Sequence, residues 1–98
     1  MAFVQILESS PGAKWEEMRA MVDEWEKATE GRRTTKRRIV GRDHDNPDRY
    51  VIIVFFDSYE SAMQNSELPA TQELSSKTAK LGGEPTFRNL DVIEDREG

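Results

Sequence analysis

Seven consecutive residues, Tyr50 to Phe56 (YVIIVFF), are apolar without interruption and rich in β-branched and aromatic side chains, which is the composition of a strand. Successive strand residues point to opposite faces, so Tyr50, Ile52, Val54 and Phe56 share one face and Val51, Ile53 and Phe55 the other. Both faces are apolar. The first apolar segment, Ala2 to Glu8 (AFVQILE), behaves alike, with Phe3 and Leu7 opposed to Val4 and Ile6. A sheet of this kind needs cover on both sides, and the helices available in 98 residues can cover only one. Leaving the remaining Val, Ile and Phe side chains in water would forfeit about 1.5 to 3 kcal/mol each. A second copy packing its own sheet against the first is the simplest cover, because a two-fold axis buries the same patch twice.

The rest of the chain supplies those helices. The first strand is stopped by Ser-Ser-Pro-Gly at 9–12. From Ala13 to Glu30 the residues Trp15, Met18, Met21, Val22, Trp25 and Ala28 recur at intervals of three and four among charged residues, predicting an amphipathic helix opened near Ser10 and Pro11 and closed at Gly31. A strand is expected from Thr34 to Arg42, followed by a loop containing His44 and Asn46-Pro47. After Tyr50–Phe56, Asp57 and Glu60 have the spacing of a capping box, so a helix is expected from Ser58 to about Asn65. Pro69 stands where a new helix would begin, with Leu74, Thr78 and Leu81 continuing to Gly82 and Gly83, so this second helix is broken near Leu68. A last strand is expected over 86–93, and residues 94–98 as a frayed tail. The order strand, helix, strand, strand, helix, strand, with right-handed crossovers, is the α+β ferredoxin-like βαββαβ arrangement: a four-stranded antiparallel sheet with helices on one face, in one domain over 1–98.

Composition narrows the function classes. A net charge of -5 argues against nucleic acid as partner. Cysteine is absent, which removes disulfides, thiolate metal sites and cysteine nucleophiles. The start of the chain has no basic stretch before an apolar one, and no apolar run nears the ~18 residues of a membrane span. A cytoplasmic protein without membrane attachment is therefore expected.

Taken together, VQILESSPG, the helix with two tryptophans, YVIIVFFDSYESAM, LPATQEL and FRNLDV resemble the dimeric α+β barrel superfamily, and within it the antibiotic-biosynthesis-monooxygenase-like domains. The similarity runs from about Phe3 to Val92. It implies a homodimer whose two sheets form a barrel, with a pocket in each subunit between sheet and helices. Among such proteins are cofactor-independent oxygenases of aromatic polyketides or quinols, and haem-degrading enzymes. In many members a tryptophan ends the third strand and a histidine lies on the next helix. Here the strand ends in Phe56, and Asn65 and Ser66 stand near the helix positions, so the helix-borne iron ligand of the haem-degrading members has no counterpart. No cofactor and no metal are expected. The implied function is binding of a small apolar or aromatic molecule, with cofactor-independent oxygenation of an aromatic or polyketide-like substrate as the implied reaction. The alternative is a non-catalytic dimeric binding or stress-associated protein whose pocket is filled by its own side chains.

Candidate residues follow. Asn65 and Tyr59 are expected to orient substrate, and His44, the sole histidine, is the outside candidate for a base. His44 stands among Asp43, Asp45 and Asp48, which could be metal ligands but are also what a turn requires. Trp25 on the apolar stripe of the first helix, Phe56, and Met63 as adaptable filler are expected to line the pocket. Gln5, Ser66, Arg88 and Asn89 would add polar groups to an otherwise apolar site, or else cap helices and face solvent. The cluster Arg32, Arg33, Lys36, Arg37, Arg38 and Arg42 reads as an exposed strand guarded against edge pairing, or as the source of one arginine, Arg37, that holds an anionic or phenolate substrate.

Overall fold

The apolar run becomes an interior strand of the only sheet among the described residues. The computed structural model describes residues 2–10, 14–82 and 85–98. In chain order the elements are β1 (Phe3–Ser9), α1 (Trp15–Ala28), β2 (Arg37–Arg42), β3 (Tyr50–Phe56), α2 (Tyr59–Glu67), α3 (Pro69–Gly82) and β4 (Thr86–Asp91). The strands order as β2-β3-β1-β4, with every neighbouring pair antiparallel. This is the ferredoxin-like arrangement expected, with its second helix divided in two. Those expectations that concern Pro11, Gly12, Ala13 and Gly83 lie outside the described residues.

Pairing assigns the faces. Phe3 pairs with Phe56, Gln5 with Val54 and Leu7 with Ile52, while Arg38 pairs with Val54 and Val40 with Ile52. These residues form the inner face, on which the helices lie. Its core cluster is Phe3, Val54, Phe56 and Ala62, with Leu7, Ile52 and Met63 packed against it. The outer face carries Val4, Ile6, Ile39, Val51, Ile53, Phe55 and Leu90. Val4 is buried by its neighbours, whereas Ile39 and Leu90 are exposed, and no helix among the described residues lies over this face.

Several boundaries differ from expectation: α2 runs on to Glu67, β4 stops at Asp91, and the cap of α2 and the start of β2 shift as well. The cap of α2 is Ser58 rather than Asp57: the Ser58 hydroxyl accepts from the Ser61 backbone N–H at 3.1 Å, and the Ser58 N–H donates to Ser61 Oγ at 3.1 Å. Serine reaches both groups with one fewer atom than Asp57 and Glu60 would use, and the extended Ser58 backbone (φ -158°, ψ 167°) is that of a cap. Asp57 instead pairs with Lys36 at 3.2 Å. β2 begins at Arg37, not Thr34; ahead of it the Thr34 hydroxyl donates to the Ser61 carbonyl, tying this stretch to α2. The break between α2 and α3 falls at Leu68, as expected. Pro69 disfavours the helical conformation at the residue before it, and Leu68 adopts φ -59°, ψ 131°. Gly31, at φ +79°, follows α1 in the left-handed conformation that glycine adopts without strain.

Candidate functional site

The helices do not close flat onto the inner face. α1 packs against α3, and between this pair and the sheet lies a cavity of about 550 Å³, a size typical of small-molecule sites. Its floor includes Leu7, Ile52, Val54 and Phe56 from the strands. Its roof includes Trp15, Met18, Val22 and Trp25 from α1, and Leu74 and Ala79 from α3. The helical spacing that puts Trp15, Met18, Val22 and Trp25 on one face of α1 thus builds a wall rather than a solid core. Gln72, Ser75 and Ser76 of α3 and Phe87 of β4 are exposed lining residues, so the mouth lies between α3 and β4.

Trp25 is held in place from three sides. Its indole Nε1–H donates to Thr71 Oγ1 at 2.9 Å, tying α1 to α3. The Arg33 guanidinium lies 5.4 Å from its ring centroid. One turn on, the buried Thr29 hydroxyl donates to the Trp25 carbonyl at 2.7 Å. Trp15 stacks on Tyr50 with centroids 4.3 Å apart and planes 12° apart. Two large aromatic walls with few rotatable bonds are therefore fixed before any ligand enters.

Among the described lining residues, Asn65 is the buried polar side chain. It is 7% exposed, and its Oδ1 has no hydrogen-bond partner among the described residues. A buried amide oxygen left unpaired costs about 1 to 3 kcal/mol. Asn65 reaches this position because Ser58 and Ser61 set the start of α2, placing Ala62 on the core and Asn65, one turn later, at the cavity.

Of the residues expected at the site, Gln5, Trp25, Phe56, Asn65 and Ser66 line the cavity together. Ser66 is exposed and its hydroxyl donates to the Ala62 carbonyl at 3.1 Å. Gln5 Nε2 donates to Asn89 Oδ1 at 3.3 Å. The others lie elsewhere. Met63 packs on the core cluster beneath α2. Tyr59 is 53% exposed with its ring edge-on to Phe3, centroids 5.5 Å apart. His44 is exposed in the turn between β2 and β3, where Asp43 Oδ1 accepts from the Asp45 and Asn46 backbone N–H groups at 2.9 and 3.2 Å. That turn is local hydrogen-bond chemistry, and among the described residues no three His, Asp or Glu side chains gather as a metal site. Arg37 stands on the outer face, opposite Phe55, its guanidinium 5.9 Å from that ring.

The arginine at the cavity is Arg38, one residue further on. Its assignment follows from its pairing with Val54, which fixes it on the inner face; nothing within RRIVGR separates Arg37 from Arg38. Burial pushes the Arg38 guanidinium below its ordinary range, and the carboxylates of Glu26 and Asp23 oppose that shift. A second cavity of about 540 Å³ lies between α1 and β2, with Asp23, Glu26 and Arg42 along it, and Trp15, Val22 and Arg38 line both spaces. Thr71, Gln72 and Phe87 were also absent from the sequence expectation; each needs the docking of α3 or β4 to be seen.

No family model and no curated protein matches the chain. Solved structures do match in fold. A candidate antibiotic biosynthesis monooxygenase from Nitrosomonas europaea superposes with a TM-score of 0.76 at 15% identity, covering 94% of this chain and 90% of that one. A second, from Deinococcus radiodurans, gives 0.77 at 14% identity, covering 99% and 97%. Rv0793 from Mycobacterium tuberculosis gives 0.80 at 12% identity, covering 99% and 100%. At identities this low the likeness is one of fold alone, a fold shared with these structures.

Proposed function

We propose that this chain is a small-molecule-binding protein of the monooxygenase-like group, taking an aromatic or polyketide-like ring system into the cavity between sheet and helices and oxygenating it without a cofactor. The observation that carries the reading is the pairing of a preformed aromatic cavity with the buried amide oxygen of Asn65, which has no partner among the described residues. Trp25 and Phe56 give the cavity aromatic walls, and a substrate hydroxyl donated to Asn65 would satisfy the orphaned oxygen and fix the ring's orientation. In the reaction a ring CH₂ becomes a carbonyl, dioxygen giving one atom to the ring and the other to water. The names carried by several structural neighbours favour this class. Tyr59 and His44, which do not line the cavity, carry no step in it.

The same reading includes a homodimer. A second copy is the cover we propose for the outer face, where Ile39 and Leu90 are exposed beside Val51, Ile53 and Phe55. A second reading, binding without turnover, draws on the absence of any Asp, Glu, His, Lys or Tyr among the described lining residues.

Oxygen uptake with a panel of hydroxylated polycyclic ring systems that carry a ring CH₂ separates the two, comparing wild type with Asn65→Ala. Uptake by wild type that falls at least about tenfold in the variant, the scale of one lost orienting hydrogen bond, supports the oxygenase. Binding with no uptake supports the second reading, and equal rates remove Asn65 from the chemistry.

A further inference from the structure

We infer that the cavity selects ligands in their anionic form, through Arg38. The inference rests on the small-molecule reading above and narrows its substrate class to ring systems bearing a phenolate, enolate or carboxylate. Its basis is a count of charge in one place. The chain carries 19 acidic and 14 basic residues, yet Arg38 is the sole formally charged side chain among the described residues that line the larger cavity. The walls around it are Trp15, Met18, Val22 and Val54, which lower the local dielectric and lengthen the reach of that one charge.

Arg38 is also uncommitted. No Asp or Glu among the described residues comes within ion-pair distance of it. The arginines that are paired, Arg49 and Arg88 on Glu8 and Arg96 on Glu94, stand elsewhere. Asp23 and Glu26 line the second cavity but not the first, so the carboxylates that act on Arg38 stand outside the space assigned to the ligand. A half-buried guanidinium stays protonated and offers several fixed N–H donors. An anion placed against it replaces water with charge-assisted hydrogen bonds, while a neutral ring of the same shape offers it no such partner. With no carboxylate, imidazole or amine lining the cavity among the described residues, a ligand already ionised in water is the form this site favours.

The test uses a matched pair of ligands on the full-length protein: 2-hydroxy-1,4-naphthoquinone, ionised at neutral pH, and its neutral methyl ether, titrated by calorimetry. Wild type is expected to bind the anion roughly tenfold or more tighter than the ether, the ratio of one charge-assisted hydrogen bond. Arg38→Met should abolish that ratio with little change in ether affinity, and Arg38→Lys should retain part of it. Arg37→Met, which removes the adjacent charge on the other face, should keep it whole. Retention of the ratio in Arg38→Met, or its loss in Arg37→Met, overturns the inference, as does a wild type that binds both ligands equally. The last outcome leaves the small-molecule reading standing. A wild type that binds neither ligand removes that reading and this inference together. The wild-type comparison needs no variant, so a folding defect in Arg38→Met would not shield the claim.

Discussion

At the scale of single residues, Asn65 and Arg38 are the side chains whose surroundings do not suit a merely structural role. An amide oxygen buried without a partner destabilises the protein that carries it. Replacing Asn65 with leucine, of similar volume, removes the unpaired group and extends the apolar wall. The variant should unfold at a temperature equal to or above wild type, by up to about 1 to 3 kcal/mol of stability, and should bind ring ligands more weakly. A residue kept for packing would move both quantities down together, so a clear loss of stability in Asn65→Leu would sink the assignment. Glu8 shows the opposite case, a polar group fully engaged. Arg49 and Arg88 donate to its two oxygens from either side, and their hydrogen bonds hold its carboxyl below the ordinary value of 4.5. Because the folded-state value is the lower one, the stabilisation is present above pH 4.5 and fades as the pH falls through the folded value. Wild type should therefore melt above Glu8→Gln at pH 7, and the gap should close on acidification. A gap that widened in acid would contradict this sign.

At the scale of elements, the segment from Ser58 to Gly82 decides where the site falls. The Ser58–Ser61 capping box starts α2, and Pro69 ends it and starts α3 at once. Asn65 sits in the last turn before that break. Ser58→Ala should destabilise by about 1 kcal/mol in denaturant unfolding, whereas Asp57→Ala, which loses only the exposed pair to Lys36, should lie within about 0 to 1 kcal/mol. Equal losses would return the cap to Asp57. Helix periodicity and the Pro69 break were legible in the sequence because both are local. The exact cap was not, since Asp57 with Glu60 and Ser58 with Ser61 have the same spacing, and only the backbone at Ser58 separates them. The face of β2 was equally hidden: charged and apolar residues alternate poorly in RRIVGR, and only pairing with β3 sets which arginine turns inward.

For the whole molecule, the two-faced strand β3 raises the question of association. The helices cover the inner face, and the outer one presents Val51, Ile53 and Phe55 between the exposed Ile39 and Leu90. Sedimentation is expected to give twice 11.3 kDa at micromolar concentration, and Ile53→Glu to shift the species toward the monomer by placing a charge in the buried patch. A wild type that sediments as a monomer would dismiss the second copy as cover. No helix among the described residues is long and apolar enough to cross a membrane.

By itself, the sequence determined what local chemistry can determine: which segments become strands and helices, that β3 is apolar on both faces, that the second helix breaks at Leu68, and that βαββαβ is the order. Those follow from periodicity, turn residues and proline, each acting over a few positions. The tertiary structure alone decided that α1 stands off the sheet to leave a cavity, that Asn65 rather than Tyr59 meets it, and that Arg38 rather than Arg37 supplies its charge. Each of these depends on strand register and on how helices dock, which are sums of contacts between residues far apart in the chain and are written in no single stretch of it.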